Sequence, residues 1–269
     1  MTADFLFDIV EHKKREVKEA KKYISESTLV KNADLYRDKR PFLGALKKPG
    51  PSGVNIIAEI KRASPSKGII CADLDPVLMA KNYENGGAAA LSVLTDNKYF
   101  KGSIEDLQQA RKATRLPVLR KDFLISSYQI YEAAAAGADA VLLIVRILSQ
   151  QQLQDYMKLC DELKLDALVE IYSVKDIEAV VSANAKLIGI NNRNLSSFET
   201  DTHNAIQLVS FLSKEQIPVA ASGIVTRRDI EKNMDAGINN FLVGESLVRA
   251  KDPAAFIGSL LWPEECVNT

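Results

Sequence analysis

The sequence predicts an α/β chain in which eight strand-helix units close into a (β/α)8 barrel behind an N-terminal helical extension. Three observations lead there. The length of 269 residues suits one such barrel, which needs about 250. Short β-branched apolar runs alternate with longer stretches of helical periodicity, the pattern of a parallel sheet built from βα units. No glycine-rich dinucleotide fingerprint follows the first run, which disfavours a doubly wound open sheet.

The extension comes first. Residues 5–22 place Phe5, Ile9 and Val17 near one stripe among charged residues, so an amphipathic helix docked on the barrel is expected. Residues 40–51 are rich in Pro, Gly and Lys and read as an irregular connector. With so few large apolar side chains, the first fifty or so residues bury too little surface to fold alone. The expected organisation is therefore a single domain, with the extension at 1–54 and the barrel at 55–269.

The eight strand runs are Ile56 to Ile60, Ala90 to Leu94, Pro117 to Arg120, Ala140 to Val145, Ala167 to Glu170, Leu187 to Asn191, Pro218 to Ala221 and Asn240 to Val243. Each interval leaves room for a crossover helix, since parallel strands need a dozen or more connecting residues. Gly86-Gly87, Gly137 and Gly237 fall where the helices before the second, fourth and eighth runs should stop.

In this architecture, the TIM barrel, chemistry belongs where strands end and βα loops begin. Strand one ends at Glu59 and Lys61, strand three at Lys121 and Asp122, strand five at Glu170, strand six at Asn191 and Arg193. Side chains alternate along a strand, so Glu59 and Lys61 share a face, and a charged pair in an apolar strand is costly unless it lines the barrel mouth. Strands seven and eight end in small residues, Ser222-Gly223 and Gly244, whose exposed N–H groups could bind a phosphate.

Composition narrows the function classes. Thirty-five basic side chains balance thirty-five acidic ones, which gives no global field for nucleic acid or anionic lipid. Cys71, Cys160 and Cys266 are scattered and odd in number, which argues against a disulfide framework and for a reducing compartment. His12 and His203 lack partners at metal-ligand spacing, and both read as solvated. The basic runs Lys13-Lys14-Arg15 and Arg227-Arg228 read as solvated helix faces. No apolar segment reaches the length of a membrane span or signal peptide, so a cytoplasmic location is expected, as a monomer or weak homo-oligomer.

The string AEIKRASPSKG, Ala58 to Gly68, resembles the strand-one signature of indole-3-glycerol phosphate synthases, in which E-x-K-x-x-S-P-S follows the first barrel strand. RKDFL from Arg120, VEIYS from Val169, GINNRNL from Gly189, ASGI from Ala221 and FLVGESL from Phe241 resemble the family's other blocks in the same order. The resemblance implies that Lys121 is the general acid for ring closure, Glu170 its acid/base partner, and Glu59 with Lys61 the pair that organises the site. It further implies that Ser64, Asn191 and Arg193 hold the substrate's hydroxyls and carboxylate and that Phe123 packs on its aromatic ring. Ser222, Gly223, Gly244 and Glu245 are the implied phosphate loop. The chain departs from the family at one position, Ala221, where glutamate usually precedes the strand-seven Ser-Gly.

The implied substrate is 1-(o-carboxyphenylamino)-1-deoxyribulose 5-phosphate, a phosphorylated small molecule, and no cofactor or metal is expected because the iminium formed on ring closure is itself the electron sink for decarboxylation. Two other readings stay open at the level of residues. Phosphoribosylanthranilate isomerase is also a phosphate-binding barrel, but it leaves Glu59, Lys61, Lys121 and Glu170 together unexplained. A non-catalytic phosphate-ligand-binding barrel has only Ala221 in its favour.

Overall fold

The computed structural model describes residues 5–33 and 38–263; Cys266 lies outside them. Eight strands alternate with helices: β1 (Asn55–Ile60), β2 (Ala90–Leu94), β3 (Val118–Lys121), β4 (Ala140–Ile144), β5 (Asp166–Ile171), β6 (Leu187–Asn191), β7 (Ile217–Ala221) and β8 (Asn240–Val243). All pair in parallel with their neighbours in sequence, and β1 pairs with β8, so the sheet closes into a (β/α)8 barrel. The helices that precede β2, β4 and β8 stop at Gly87, Gly137 and Gly237, whose φ values of 89°, 87° and 89° lie in the left-handed region that glycine enters without steric cost. The fourth strand is one residue shorter than its apolar run, because Val145 opens a 3-10 turn instead of extending the ladder.

The period of two sorts the strand residues into two apolar layers. Ile57, Ala90, Leu119, Leu142, Leu168, Val219 and Leu242 pack together inside the barrel, while their neighbours Ile56, Leu91, Val118, Val141, Val169 and Phe241 pack beneath the surrounding helices. The base of the barrel is closed by part of the extension. Residues 40–51 are not wholly irregular: the short helix Phe42–Leu46 carries Phe42 and Leu46, both fully buried, into the interior cluster. Its approach is set by two aspartates at the strands' N-terminal ends, since Arg40 N–H donates to Asp139 Oδ1 at 2.9 Å and Leu43 N–H to Asp166 Oδ2 at 2.7 Å.

The first helix, α1 (Phe5–Tyr23), docks with a different stripe from the one its apolar residues suggest. Its buried residues are Leu6, Ile9 and Lys13, whereas Phe5 and Val17 are half-buried. Phe5 meets Tyr99 and Phe198 edge-on, with ring centroids at 5.2 and 4.8 Å. Lys13 is not a solvated lysine. It is wholly buried, and its ammonium lies 2.8 Å from Asp122 Oδ1, 2.9 Å from Asp96 Oδ2 and 2.9 Å from Glu16 Oε1. A simple hydrophobic pattern misses such a residue because its burial is compensated by partners about 80 to 110 positions away. Arg227 likewise is no solvated face residue: it is half-buried and donates to the carbonyls of Leu260 and Leu261, at 3.1 and 2.8 Å, at the end of the last helix. His203 is exposed, but His12 packs edge-on to Tyr99 and lies 3.4 Å from Glu16.

Cys71 and Cys160 are free thiols. Among the described residues, no cluster of His, Cys, Asp and Glu could hold a metal ion, and no helix is long and apolar enough to cross a membrane.

The buried Lys13 cluster predicts a stability contrast. Lys13→Met leaves the buried Asp96 without a cation and Asp122 with Arg120 alone, and should cost about 3–5 kcal/mol in urea unfolding. Lys14→Met, which loses only the exposed pair with Glu11, should change stability by less than about 1 kcal/mol. Burial pushes the Asp122 carboxyl up, but Lys13, Arg120 and the Thr95 hydroxyl outweigh it and hold its pKa at about 2. Its contribution is therefore complete above the ordinary carboxylate range and lost as pH falls from about 4 through 2. Over that interval Asp122→Asn should show a shallower loss of stability than the parent protein.

Candidate active site

At the C-terminal ends of the strands, the inward-facing positions change from apolar to polar. On β1 the alternation that buries Ile57 puts Glu59 one layer higher and Lys61 at the rim. The Lys61 ammonium donates to Glu59 Oε1 at 2.6 Å. Burial acts to raise the Glu59 pKa, but the charges of Lys61, Lys121 and Arg193 and the Lys61 hydrogen bond prevail and hold it below the usual carboxylate range. Glu59 is therefore an anion at neutral pH.

Lys121 is the last residue of β3, and its Nζ lies 3.9 Å from Glu170 Oε2 on β5. Glu170 is buried, and its other oxygen accepts from Asn191 Nδ2 at 3.2 Å. Asn191 Oδ1 in turn accepts from the backbone N–H of Arg193 at 3.0 Å. A polar chain thus crosses three strand ends. Arg193 extends it to the first loop, donating to Thr200 Oγ1 and to Ser66 Oγ, each at 3.2 Å. That loop folds into a hairpin of Ala63–Ser64 against Gly68–Ile69. The Ser64 hydroxyl is buried there without a protein partner among the described residues.

Glu59, Lys61, Ser64, Lys121, Glu170, Asn191, Arg193, Ser222, Gly223, Gly244 and Glu245 all line one cavity of about 480 Å³. Ser222 and Gly223 both have positive φ, 70° and 77°, so the chain makes a tight left-handed turn as β7 ends. Gly244 leads into the helix Glu245–Arg249, whose first N–H groups have no intrahelical acceptor. Space also selects glycine at 244, because a Cβ there would collide with Glu59 Oε1 and come within 3.0 Å of Lys61 Nζ.

Two residues at the strand ends point elsewhere. Asp122 does not line the cavity; it joins Lys13, Arg120 and Thr95 in the buried charge cluster. Phe123 does not line it either. It is buried behind Phe100, with ring centroids 6.2 Å apart, and Phe100 forms the wall together with Leu94, Leu195 and Phe198. None of these four carries a polar group that marks it in the sequence: Leu94 and Phe100 belong to the end of β2 and the loop after it, Leu195 and Phe198 to the loop after β6. The available signal was Asp96, whose side chain accepts the N–H groups of Tyr99 and Phe100 and so starts the short helix Asn97–Phe100 that presents the ring. Ala221 faces inward at the end of β7, opposite Asn191 in register, and contributes a methyl group to the cavity.

The sequence from residue 6 to residue 260 matches the family model described as "Indole-3-glycerol phosphate synthase". A protein named indole-3-glycerol phosphate synthase from Desulfosudis oleivorans is 57% identical over 260 residues, which cover 96% of this chain and 99% of the relative. Another with that name, from Syntrophobacter fumaroxidans, is 50% identical over 258 residues, covering 96% and 97%. Among solved structures, 3-hexulose-6-phosphate synthase from Salmonella typhimurium aligns with a TM-score of 0.60 at 12% identity, covering 77% of this chain and 97% of that one. That likeness concerns the barrel alone. The near-complete family match and the two close relatives show that the chain belongs to the indole-3-glycerol phosphate synthase family.

Proposed function

We propose that this cavity converts 1-(o-carboxyphenylamino)-1-deoxyribulose 5-phosphate into indole-3-glycerol phosphate, with loss of carbon dioxide and water, and that Lys121 is the acid for the first step. The observation that carries the reading is the convergence of Lys121, Glu170, Glu59 and Lys61 on one cavity from three strands. The ring carbon bearing the carboxylate attacks the ketone carbon while the Lys121 ammonium delivers a proton to the ketone oxygen. The new bond leaves an iminium in the ring, so carbon dioxide departs with its bonding electrons passing to the iminium nitrogen. The remaining hydroxyl leaves as water when protonated, and a carboxylate takes a ring proton to restore aromaticity. The 2.6 Å contact of Lys61 with an ionised Glu59 supports those two as acid and base for dehydration. Glu170, fixed by Asn191, orients Lys121.

Apolar and polar parts of the cavity match the two ends of such a substrate. Phe100, Leu94, Leu195 and Phe198 suit the aromatic ring, and Ser222, Gly223, Gly244 and Glu245 suit the phosphate through backbone N–H groups. Ser64, Asn191 and Arg193 lie between as donors for hydroxyls and the carboxylate, and Phe123 acts by backing Phe100.

Three measurements test these roles. Lys121→Met should lower kcat by about a hundredfold or more with little change in KM; a rate within about threefold of the parent would remove Lys121 from the mechanism. Millimolar inorganic phosphate should raise the parent's Tm, as any ligand bound by the native state does. In Gly244→Ala, whose Cβ crowds Glu59 and Lys61, that shift should disappear; an equal shift in both proteins would place the phosphate elsewhere. Ala221→Glu adds a carboxylate to a cavity containing Lys61 and Lys121, which favours the ammonium forms and should move the alkaline limb of the kcat profile to higher pH. An unmoved limb in a stably folded variant would mean that position 221 is electrostatically silent.

A further inference from the structure

The wholly buried ammonium of Lys13 lies outside the cavity, yet it contacts both loops that frame one side of it. Asp96 and Asp122 stand just beyond the ends of β2 and β3, and Lys13 bridges them at 2.9 and 2.8 Å. Asp96 Oδ1 caps the short helix that carries Phe100 to the cavity wall. Asp122 follows Lys121 directly; its Oδ1 accepts the Phe123 N–H at 2.8 Å, and its Oδ2 accepts the Thr95 hydroxyl at 2.6 Å. The Thr95 N–H donates to the Lys121 carbonyl at 3.1 Å, which closes the loop of contacts around that residue's backbone.

Asp122 has a second cation in Arg120, at 3.2 Å, and Arg120 is also tied to Glu132 at 2.8 Å. Asp96 is wholly buried, and Lys13 is its one ion-pair partner among the described residues. A buried ion pair is a poor device for stability alone, because an apolar contact of the same volume would dock α1 at least as well. What the charge adds is geometry: one cation on two carboxylates fixes the two loops relative to each other.

We infer that Lys13 is a positioning residue for the reaction, holding the β2 and β3 loops together so that Lys121 projects into the cavity beside the Phe100 wall. It touches neither substrate nor reacting atoms. The inference rests on the role proposed above for Lys121, and acts through that residue's backbone.

The test separates turnover from folding. Lys13→Met should lower kcat about 10- to 100-fold, the usual penalty for a misplaced catalytic group, at a temperature where circular dichroism shows the variant folded. KM should rise no more than about fivefold, since Asp96 still caps the Phe100 helix. Asp96→Asn keeps that cap through its amide oxygen but removes the carboxylate that ties Lys13 to the β2 loop, so its kcat should also fall, by about three- to tenfold and less than in Lys13→Met; an unchanged kcat would overturn the inference. The decisive protein is Lys13→Met/Asp96→Asn, which removes the cation together with the carboxylate it alone neutralises. Its Tm should return most of the way to the parent value while kcat stays low. Recovery of kcat along with Tm, an unchanged kcat in Lys13→Met, or failure of the charge-balanced variant to fold would each overturn the inference and leave Lys13 as a stability element only. A Lys121→Met variant assayed alongside distinguishes the two readings, because retained turnover there dismisses the proposed acid whatever Lys13 does.

Discussion

Charges that face the inside of a closed barrel must be neutralised by one another, because water reaches them only through the open end. Much of the arrangement at the strand ends follows from that constraint. Glu59 is ionised despite its burial because Lys61 sits against it and Lys121 and Arg193 add their fields. Lys121 has Glu170, and Glu170 has Asn191 as a neutral donor on its second oxygen. Each pairing places one member on a different strand end or layer, so none of the groups can relax into a simpler contact without unpairing another. A site assembled in this way is rigid before a substrate arrives, which is the condition for proton transfers between fixed positions.

The N-terminal extension acts at both ends of the barrel, by opposite means. At the base, the short helix Phe42–Leu46 pushes Phe42 and Leu46 into the interior layer, and Asp139 and Asp166, which accept the N–H groups of Arg40 ahead of it and Leu43 within it, fix its seat. Near the mouth, α1 contributes a buried ammonium between two loops and an aromatic ring against Tyr99 and Phe198. The base needs only exclusion of water, and apolar packing provides it. Loops around a reacting cavity need defined relative positions, and directional contacts between charges and between rings serve that need.

The barrel by itself carries little of the functional conclusion. The solved 3-hexulose-6-phosphate synthase shares the barrel at 12% identity, and its name describes a different reaction. What distinguishes this chain is the content of the strand ends. Small residues stand at the ends of β7 and β8, Glu59, Lys61, Lys121 and Glu170 converge from three strands, and aromatic and leucine side chains form one wall. Ala221 stands among them where a larger acidic residue is usual in the family, leaving the Glu59, Lys61 and Lys121 charges to balance without a third inward carboxylate at that position.

The strands, their order around the sheet and the polar residues at their ends were legible in the sequence because each is a local property. Alternation places Glu59 and Lys61 on one face, glycines at 87, 137 and 237 stop helices, and the strand-one block from Ala58 to Gly68 is long enough to name a family. Lys13, Asp122, Phe100 and Phe123 were not legible in the same way. A basic triplet in an amphipathic helix reads as solvated, and only the tertiary fold brings Asp96 and Asp122 to Lys13 and so makes its burial favourable. Which of two phenylalanines after adjacent strands reaches the cavity was likewise decided by the fold, since Asp96 caps a helix that thrusts Phe100 forward while Asp122 turns the chain so that Phe123 lies behind it. Local pattern determines which way a side chain leaves its strand; whether a charge or ring is buried depends on partners far away in the chain, which only closure of the barrel brings together.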